Sequence, residues 1–279
     1  NAVGLNSTNF NIGRLIGPGL SGVLIAAYGT GFSFILNGIS YLGVIISLLF
    51  IKENELFREE MNRSSTKIRQ GLNYVRARPD ILAVMFTVFF ATSFGLNFNI
   101  FNTMMATAVF NKSAAEYGAL GSILAIGSLS GAIVSARLER KRDPKFVMRG
   151  SMLFSVVLIA SAFAPNYITY AIFLPLIGFI ALITFIAANT MVQLRTDSAI
   201  RGRVMGIYLT VFLGGTPIVS PLIGWMTQEI GTRYTIAICG TISLTAAALT
   251  HLKFKDRVEA PESVLVDDVL EAAYEDKKD

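Results

Sequence analysis

Residues 4–42, GLNSTNFNIGRLIGPGLSGVLIAAYGTGFSFILNGISYL, read against residues 206–244, GIYLTVFLGGTPIVSPLIGWMTQEIGTRYTIAICGTISL, decide the architecture of this chain. The two 39-residue stretches align without a gap at an offset of 202 residues. Eleven positions are identical: Gly4/Gly206, Thr8/Thr210, Phe10/Phe212, Gly13/Gly215, Ile16/Ile218, Leu20/Leu222, Gly22/Gly224, Gly29/Gly231, Thr30/Thr232, Gly38/Gly240 and Leu42/Leu244. Both copies are long and apolar. A repeat of this kind in a membrane protein points to a transporter assembled from two related halves. Only one pair of helices recurs. Two-half symmetry therefore implies four further helices ahead of residue 4, and the sequence reads as a fragment of a longer transporter.

Hydrophobic residues make up 53% of the 279 and charged residues 15%, where a soluble domain carries about 25% charged. The charges fall in clusters between eight nearly uncharged runs: 4–28, 32–51, 81–106, 117–136, 150–166, 168–194, 204–227 and 234–252. A span needs about 20 apolar residues to cross about 30 Å of hydrocarbon, so all eight are expected to cross. One cysteine (Cys239) and one histidine (His251) leave no disulfide framework and no conventional zinc site; no metal and no cofactor is expected. A membrane-embedded enzyme would need His, Asp, Glu or Cys clustered at one depth. The spans show none, so no catalytic residue is assigned.

The net charge of +5 does not call for nucleic acid, because its placement has a simpler cause. Of the 24 Lys and Arg, 21 lie in segments 52–79, 137–149, 195–203 and 253–279, all on one side if the spans alternate. Positive residues mark the cytoplasmic side, so both ends of the chain are expected to be cytoplasmic in the plasma (inner) membrane. Tyr28, Tyr117, Tyr167, Tyr170, Trp225 and Tyr234 fall at the opposite boundary, where amphipathic rings settle at the headgroups. Residues 65–78 read as a basic amphipathic helix on the cytoplasmic leaflet, with Ile68, Leu72 and Val75 on its apolar face. Residues 255–279 read as an acidic cytoplasmic tail.

Arg14 is the sharpest single residue. It lies about ten residues into its span, roughly 15 Å deep at about 1.5 Å per residue. An intramembrane Arg costs at least about 2.5–3.5 kcal/mol, so it must face protein or water. It shares a helical face with Ser7, Asn11, Gly17, Pro18 and Ser21. Asn99 and Asn102 on the third span, and Asn189 and Gln193 on the sixth, are further polar groups at membrane depth; amides there commonly bond between helices. Asn97 falls off the stripe of Gly95, Asn99, Asn102 and Thr103. Gly127, Gly131 and Ser135 form a small-residue seam at spacing four. Glycines allow close approach and bending, and proline kinks a helix. Gly13, Gly17, Pro18 and Gly22 thus soften the first span, and Gly215, Pro217, Pro221 and Gly224 the seventh.

The run Asn11-Ile12-Gly13-Arg14-Leu15-Ile16-Gly17-Pro18-Gly19-Leu20-Ser21-Gly22 resembles the antiporter motif in the fifth helix of the major facilitator superfamily. Gly13, Gly17, Pro18 and Gly22 match; one glycine of the closing pair falls on Ser21. Residues 6–50, Gln70-Gly71-Leu72-Asn73-Tyr74-Val75-Arg76 and Arg201-Gly202-Arg203-Val204-Met205-Gly206 resemble the siderophore and macrolide efflux branch, the enterobactin exporter-like proteins. Arg137-Leu138-Glu139-Arg140-Lys141-Arg142 resembles a degraded cytoplasmic gating loop of the family; a positive-inside cluster explains it as well. Asp197, Arg201 and Arg203 occupy the next loop on that side.

The resemblance implies an all-α polytopic membrane protein whose eight transmembrane helices correspond to helices 5–12 of a twelve-helix major facilitator fold. Residues 1–51 would close the N-terminal bundle, 52–79 would link, and 80–254 would form the C-terminal six-helix bundle. The implied function is secondary active export of small amphipathic organic molecules by alternating access with proton antiport; an importer or a lipid or metabolite flippase of the same fold is the alternative. Its partners would be the small-molecule substrate and the lipid bilayer, and the full-length protein would be a monomer. No span interior carries a carboxylate, so a proton carrier would lie in the missing helices.

In the complete transporter, Arg14→Ala is expected to lower the transport rate at least tenfold, with partial recovery in Arg14→Lys. Unchanged rates in both variants would remove Arg14 from the pathway.

Overall fold

The computed structural model describes residues 24, 27, 28, 31–50, 68–137, 143–197 and 200–254. Every regular element among them is helical: α1 (Gly31–Leu49), α2 (Ile68–Ala77), α3 (Pro79–Phe90), α4 (Phe98–Met104), α5 (Ala114–Arg137), α6 (Pro144–Ala162), α7 (Tyr167–Leu194), α8 (Arg201–Gly214), α9 (Thr216–Glu229) and α10 (Thr232–Phe254). Two wide π-turns, Ala91–Gly95 and Met105–Val109, follow α3 and α4. Read as spans, these make seven helices long and apolar enough to cross a membrane among the described residues. Of the span expected over 4–28, only Leu24, Ala27 and Tyr28 are among them, so the count of eight is neither met nor missed.

The spans keep the expected order, and their ends move for local reasons. The fifth run, expected at 150–166, begins six residues earlier at Pro144. The Asp143 carboxylate caps the helix by accepting from the Lys145 amide at 3.1 Å, and Pro144 fits the first turn, where no amide hydrogen is needed. Lys145 and Arg149 are therefore helical, and the run ends at Ala162. Asn166 caps α7 in the same way, accepting from the Thr169 amide at 2.9 Å.

Helices α5, α6 and α7 pack closely because small residues let their backbones meet. A Cβ on Gly127 would land on the Pro175 carbonyl oxygen; one on Gly131 would lie 2.5 Å from the Phe179 oxygen, and one on Gly178 2.5 Å from the Leu124 oxygen. The spacing of Gly127, Gly131 and Ser135 thus marks the α5–α7 crossing, and Ser135 is buried there. The interior is threaded by rings: Phe98–Phe154 (6.5 Å between centroids), Phe154–Phe185 (6.0 Å), Phe185–Phe212 (5.7 Å) and Phe212–Tyr208 (6.1 Å). The first three meet edge to face, the geometry that aromatic quadrupoles favour. This chain of rings joins α4, α6, α7 and α8.

Tyr170, expected among the boundary aromatics, is instead fully buried and donates its hydroxyl to Asn102 Oδ1 at 2.8 Å. Trp225 and Tyr234 remain exposed, as an interfacial position requires. No residue of helix α1 is buried.

Gly131→Leu is expected to wedge α5 from α7. Overpacking costs about 1–3 kcal/mol, which should lower the thermal midpoint of the purified protein by several degrees. An unchanged midpoint would contradict the backbone-to-backbone crossing.

Candidate functional site

Two spans are discontinuous, and they touch where they break. In the span from Pro79 to Val109, Leu96 and Asn97 leave the helix between the first π-turn and α4. Thr92, Ser93 and Gly95 precede them; glycine weakens a helix by about 1 kcal/mol, and short hydroxyl side chains compete for its backbone. Gly95 also gives α6 its approach, since a Cβ there would lie 2.5 Å from the Phe154 ring. The freed carbonyls are taken up by Asn97, whose side-chain amide donates to Ser93 O at 2.7 Å and to Phe94 O at 3.5 Å. The Asn97 carbonyl accepts from the amides of Ile100 and Phe101, each at 3.0 Å, and so starts α4.

In the second discontinuous span, Gly215 separates α8 from α9. Pro217 and Pro221 carry no amide hydrogen, which removes two helical bonds within five residues. Gly215 is buried against the first break: a Cβ on it would collide with the Ser93 hydroxyl and lie 2.7 Å from Ser93 Cβ. One helical turn further on, the Ser220 hydroxyl donates to Asn97 Oδ1 at 2.7 Å. Asn97 therefore satisfies its own helix with its nitrogen and the neighbouring helix with its oxygen, at 4% exposure. Non-helical backbone at membrane depth survives only inside protein or beside a water-filled cavity. Leu96 and Asn97 meet the first condition, packed against the Gly215 joint of the neighbouring span, where the backbone itself stays helical (φ −75°, ψ −32°).

The polar residues expected in the pathway separate into two groups. Asn102 is buried and accepts from the Tyr170 hydroxyl. Asn99 is exposed, and Thr103 and Thr107 continue its stripe, each hydroxyl donating to the carbonyl four residues back at 2.6 and 2.8 Å. Gln193 donates to Asn189 Oδ1 at 2.6 Å near the end of α7. Gly224 is half-buried with open space where a Cβ would sit. Asn11, Gly13, Arg14, Gly17, Pro18, Gly22, Glu139 and Arg140 lie outside the described residues; Arg137 is the last residue of α5.

A second cluster lies at the other end of the same helices. Arg78 and Asp80 flank Pro79 at the start of α3, and their side chains pair twice: Nε to Oδ1 and Nη2 to Oδ2, both at 3.0 Å. Both residues are buried. Arg195, at the end of α7, adds a third bond to Oδ2 at 3.2 Å. The Tyr74 hydroxyl on α2 accepts from Arg78 Nη1 at 3.3 Å and from the Asp197 amide at 3.4 Å, and lies 3.4 Å from the Arg195 carbonyl oxygen. Arg203 Nη1 donates to Gln70 Oε1 at 2.9 Å, and Arg201 Nη2 to the Thr196 carbonyl at 3.3 Å. The Arg203 side chain and the Asp197 amide thus tie α2 to the start of α8 and the loop after α7, and Arg201 closes that loop on Thr196. Sequence reasoning missed Tyr74, Arg78, Asp80 and Arg195 as a unit; the nearest signal was the Arg78-Pro79-Asp80 triplet, which sets a carboxylate at the positive end of a helix.

A polytopic helical bundle with paired broken spans and a charged clamp at one end is the build of a membrane transporter. The family model described as transmembrane secretion effector matches residues 1–272. The chain belongs to that family, a branch of the major facilitator superfamily of transporters, which are not enzymes. It is similar to the enterobactin exporter EntS of Shigella flexneri (24% identical over 214 residues, 76% of this chain and 50% of the relative). It is also similar to EntS of Shigella boydii serotype 18 (25% over 237 residues, 79% and 53%) and of Escherichia coli O81 (26% over 230 residues, 76% and 51%). The chain spans about half the length of these curated relatives.

Asp80→Ala is expected to cost about 3–5 kcal/mol, because it removes the buried carboxylate that accepts two bonds from Arg78 and one from Arg195. Replacing the buried pair together, Arg78→Met with Asp80→Leu, should cost less than Asp80→Ala alone. Thermal unfolding of the three proteins checks this, and a double variant no more stable than Asp80→Ala would contradict it.

Proposed function

We propose that this chain is the part of a secondary active exporter that contains the pivot of its second half. In this reading the eight spans are helices 5–12 of a twelve-helix transporter. Residues 1–51 complete the first bundle, 52–79 link on the cytoplasmic side, 80–254 form the second bundle, and 255–279 trail into the cytoplasm. The spans cross the plasma (inner) membrane, and both ends of the chain lie on its cytoplasmic side. The cargo is a small amphipathic organic molecule, a class that includes siderophores such as that named for the relatives. Transport proceeds by alternating access against a counterflow of protons.

The observation that carries this reading is the meeting of two broken spans at Asn97–Ser220 and Ser93–Gly215. At the first break the carbonyls of Ser93 and Phe94 already go to the Asn97 side chain, and at the second Pro217 and Pro221 have no amide hydrogen to lose, so both spans can bend there without losing further hydrogen bonds. Two breaks joined side to side let the outer parts of both spans swing together while the tightly crossed α5–α7 pair stays rigid. Support for a sliding surface comes from α8: Gly202, Gly206, Thr210 and Gly214 recur every four residues and are all exposed, and a Cβ on Gly202 or Gly206 would meet open space. Such a stripe suits close passage of another helix.

Inside-out membrane vesicles from cells making the complete transporter test the reading. Energised vesicles should accumulate a labelled catecholate siderophore or macrolide severalfold over unenergised ones, and a protonophore should abolish the difference. Accumulation that ignores energisation, or transport only in the opposite direction, would overturn export by proton antiport.

A further inference from the structure

Helix α2 presents two faces. Gly71 and Val75 are buried; a Cβ on Gly71 would lie 3.0 Å from Ile207 Cδ1 and 3.2 Å from Arg203 Cβ, so the helix rests on α8. Tyr74 and Arg78 continue this face into the charged clamp. The apolar face read from the sequence as Ile68, Leu72 and Val75 is therefore divided. Val75 turns inward, while Ile68 is 72% and Leu72 38% exposed. At about 100° per residue, Ile68, Leu72, Arg76, Arg69 and Asn73 fall on one continuous outward arc. All five are exposed, and α2 holds no acidic residue.

Position gives this arc its surroundings. Only Arg78 separates α2 from the span that begins at Pro79, and the clamp holds α2 beside the ends of α7 and α8. The helix therefore lies at the level where spans leave the bilayer. Two apolar side chains next to two arginines, on a helix fixed at that level, match the acyl boundary and an anionic headgroup layer above it.

We propose that the outward arc of α2, through Ile68, Leu72, Arg69 and Arg76, docks onto anionic phospholipids of the leaflet beside it. The apolar pair dips below the headgroups, and the guanidinium groups take lipid phosphates through paired N–H donors. The clamp supplies the fixed orientation that a free amphipathic helix would have to find for itself. This rests on the placement of the spans in a bilayer and not on which cargo the transporter carries.

The complete transporter, with Cys239→Ser and a fluorescent label on Leu72→Cys, is placed in phosphatidylcholine vesicles holding equal amounts of brominated phosphatidylglycerol or brominated phosphatidylcholine. Each arginine near an anionic surface should enrich the anionic lipid about fivefold, so the phosphatidylglycerol quencher should act severalfold more strongly. The preference should vanish in R69Q/R76Q and persist in R69K/R76K and in R149Q, which removes an exposed arginine on α6. Equal quenching by both lipids in the parent protein, or a preference that survives R69Q/R76Q, would overturn the proposal. So would loss of the preference in R149Q, because the basic side as a whole would then recruit the lipid.

Discussion

Asn97 solves a problem that a bilayer poses to any bent helix. Hydrocarbon offers no hydrogen bonds, and an unsatisfied backbone group there costs several kcal/mol. The span from Pro79 to Val109 nevertheless stops being helical at Leu96 and Asn97. The Asn97 amide takes the carbonyls the break releases, and its oxygen accepts from Ser220, which stands beyond the neighbouring break. Gly215 keeps the two backbones close enough for that bond to form. If the pair separated, Asn97 Oδ1 and the Ser220 hydroxyl would lose each other as partners in an apolar medium. The depth, phase and mutual position of α3, α4, α8 and α9 follow from that constraint.

The spans themselves were legible because their length and lack of charge are one-dimensional properties. Pro217, Pro221 and Gly215 announced a soft seventh span for the same reason. The third span was harder to read. A stripe of Gly95, Asn99, Asn102 and Thr103 assumes unbroken helical phase, and a π-turn followed by two non-helical residues resets that phase. Within α4, which begins after the reset, Asn102 turns inward to Tyr170 while Asn99 stays outward, and the discarded Asn97 comes to the centre. Asp80 and Arg195, 115 residues apart, could be joined only by the fold. In α2 the amphipathic pattern was visible, but the inward choice of Val75 depended on the close approach at Gly71.

The clamp and the paired breaks lie on the same helices, at opposite ends of α3 and α8. Asp80 holds Arg78 and Arg195 at the mouth, and Arg203 holds Gln70. Between clamp and breaks runs the chain of rings from Tyr208 through Phe212 and Phe185 to Phe154 and Phe98. Close-packed side chains are hardly compressible, so these rings hold α4, α6, α7 and α8 together as a unit. The charged end is also where α2 meets lipid, so composition of the leaflet and state of the transporter act on one assembly.

The central claim is that the two breaks form one coupled pivot through Asn97 and Ser220. A double-variant cycle of Asn97→Ala and Ser220→Ala, followed by thermal unfolding of the complete transporter, measures that coupling most directly. Residues in one hydrogen-bond network couple by about 0.5–3 kcal/mol, and the account predicts a value in that range. Strictly additive effects of the two substitutions would contradict it.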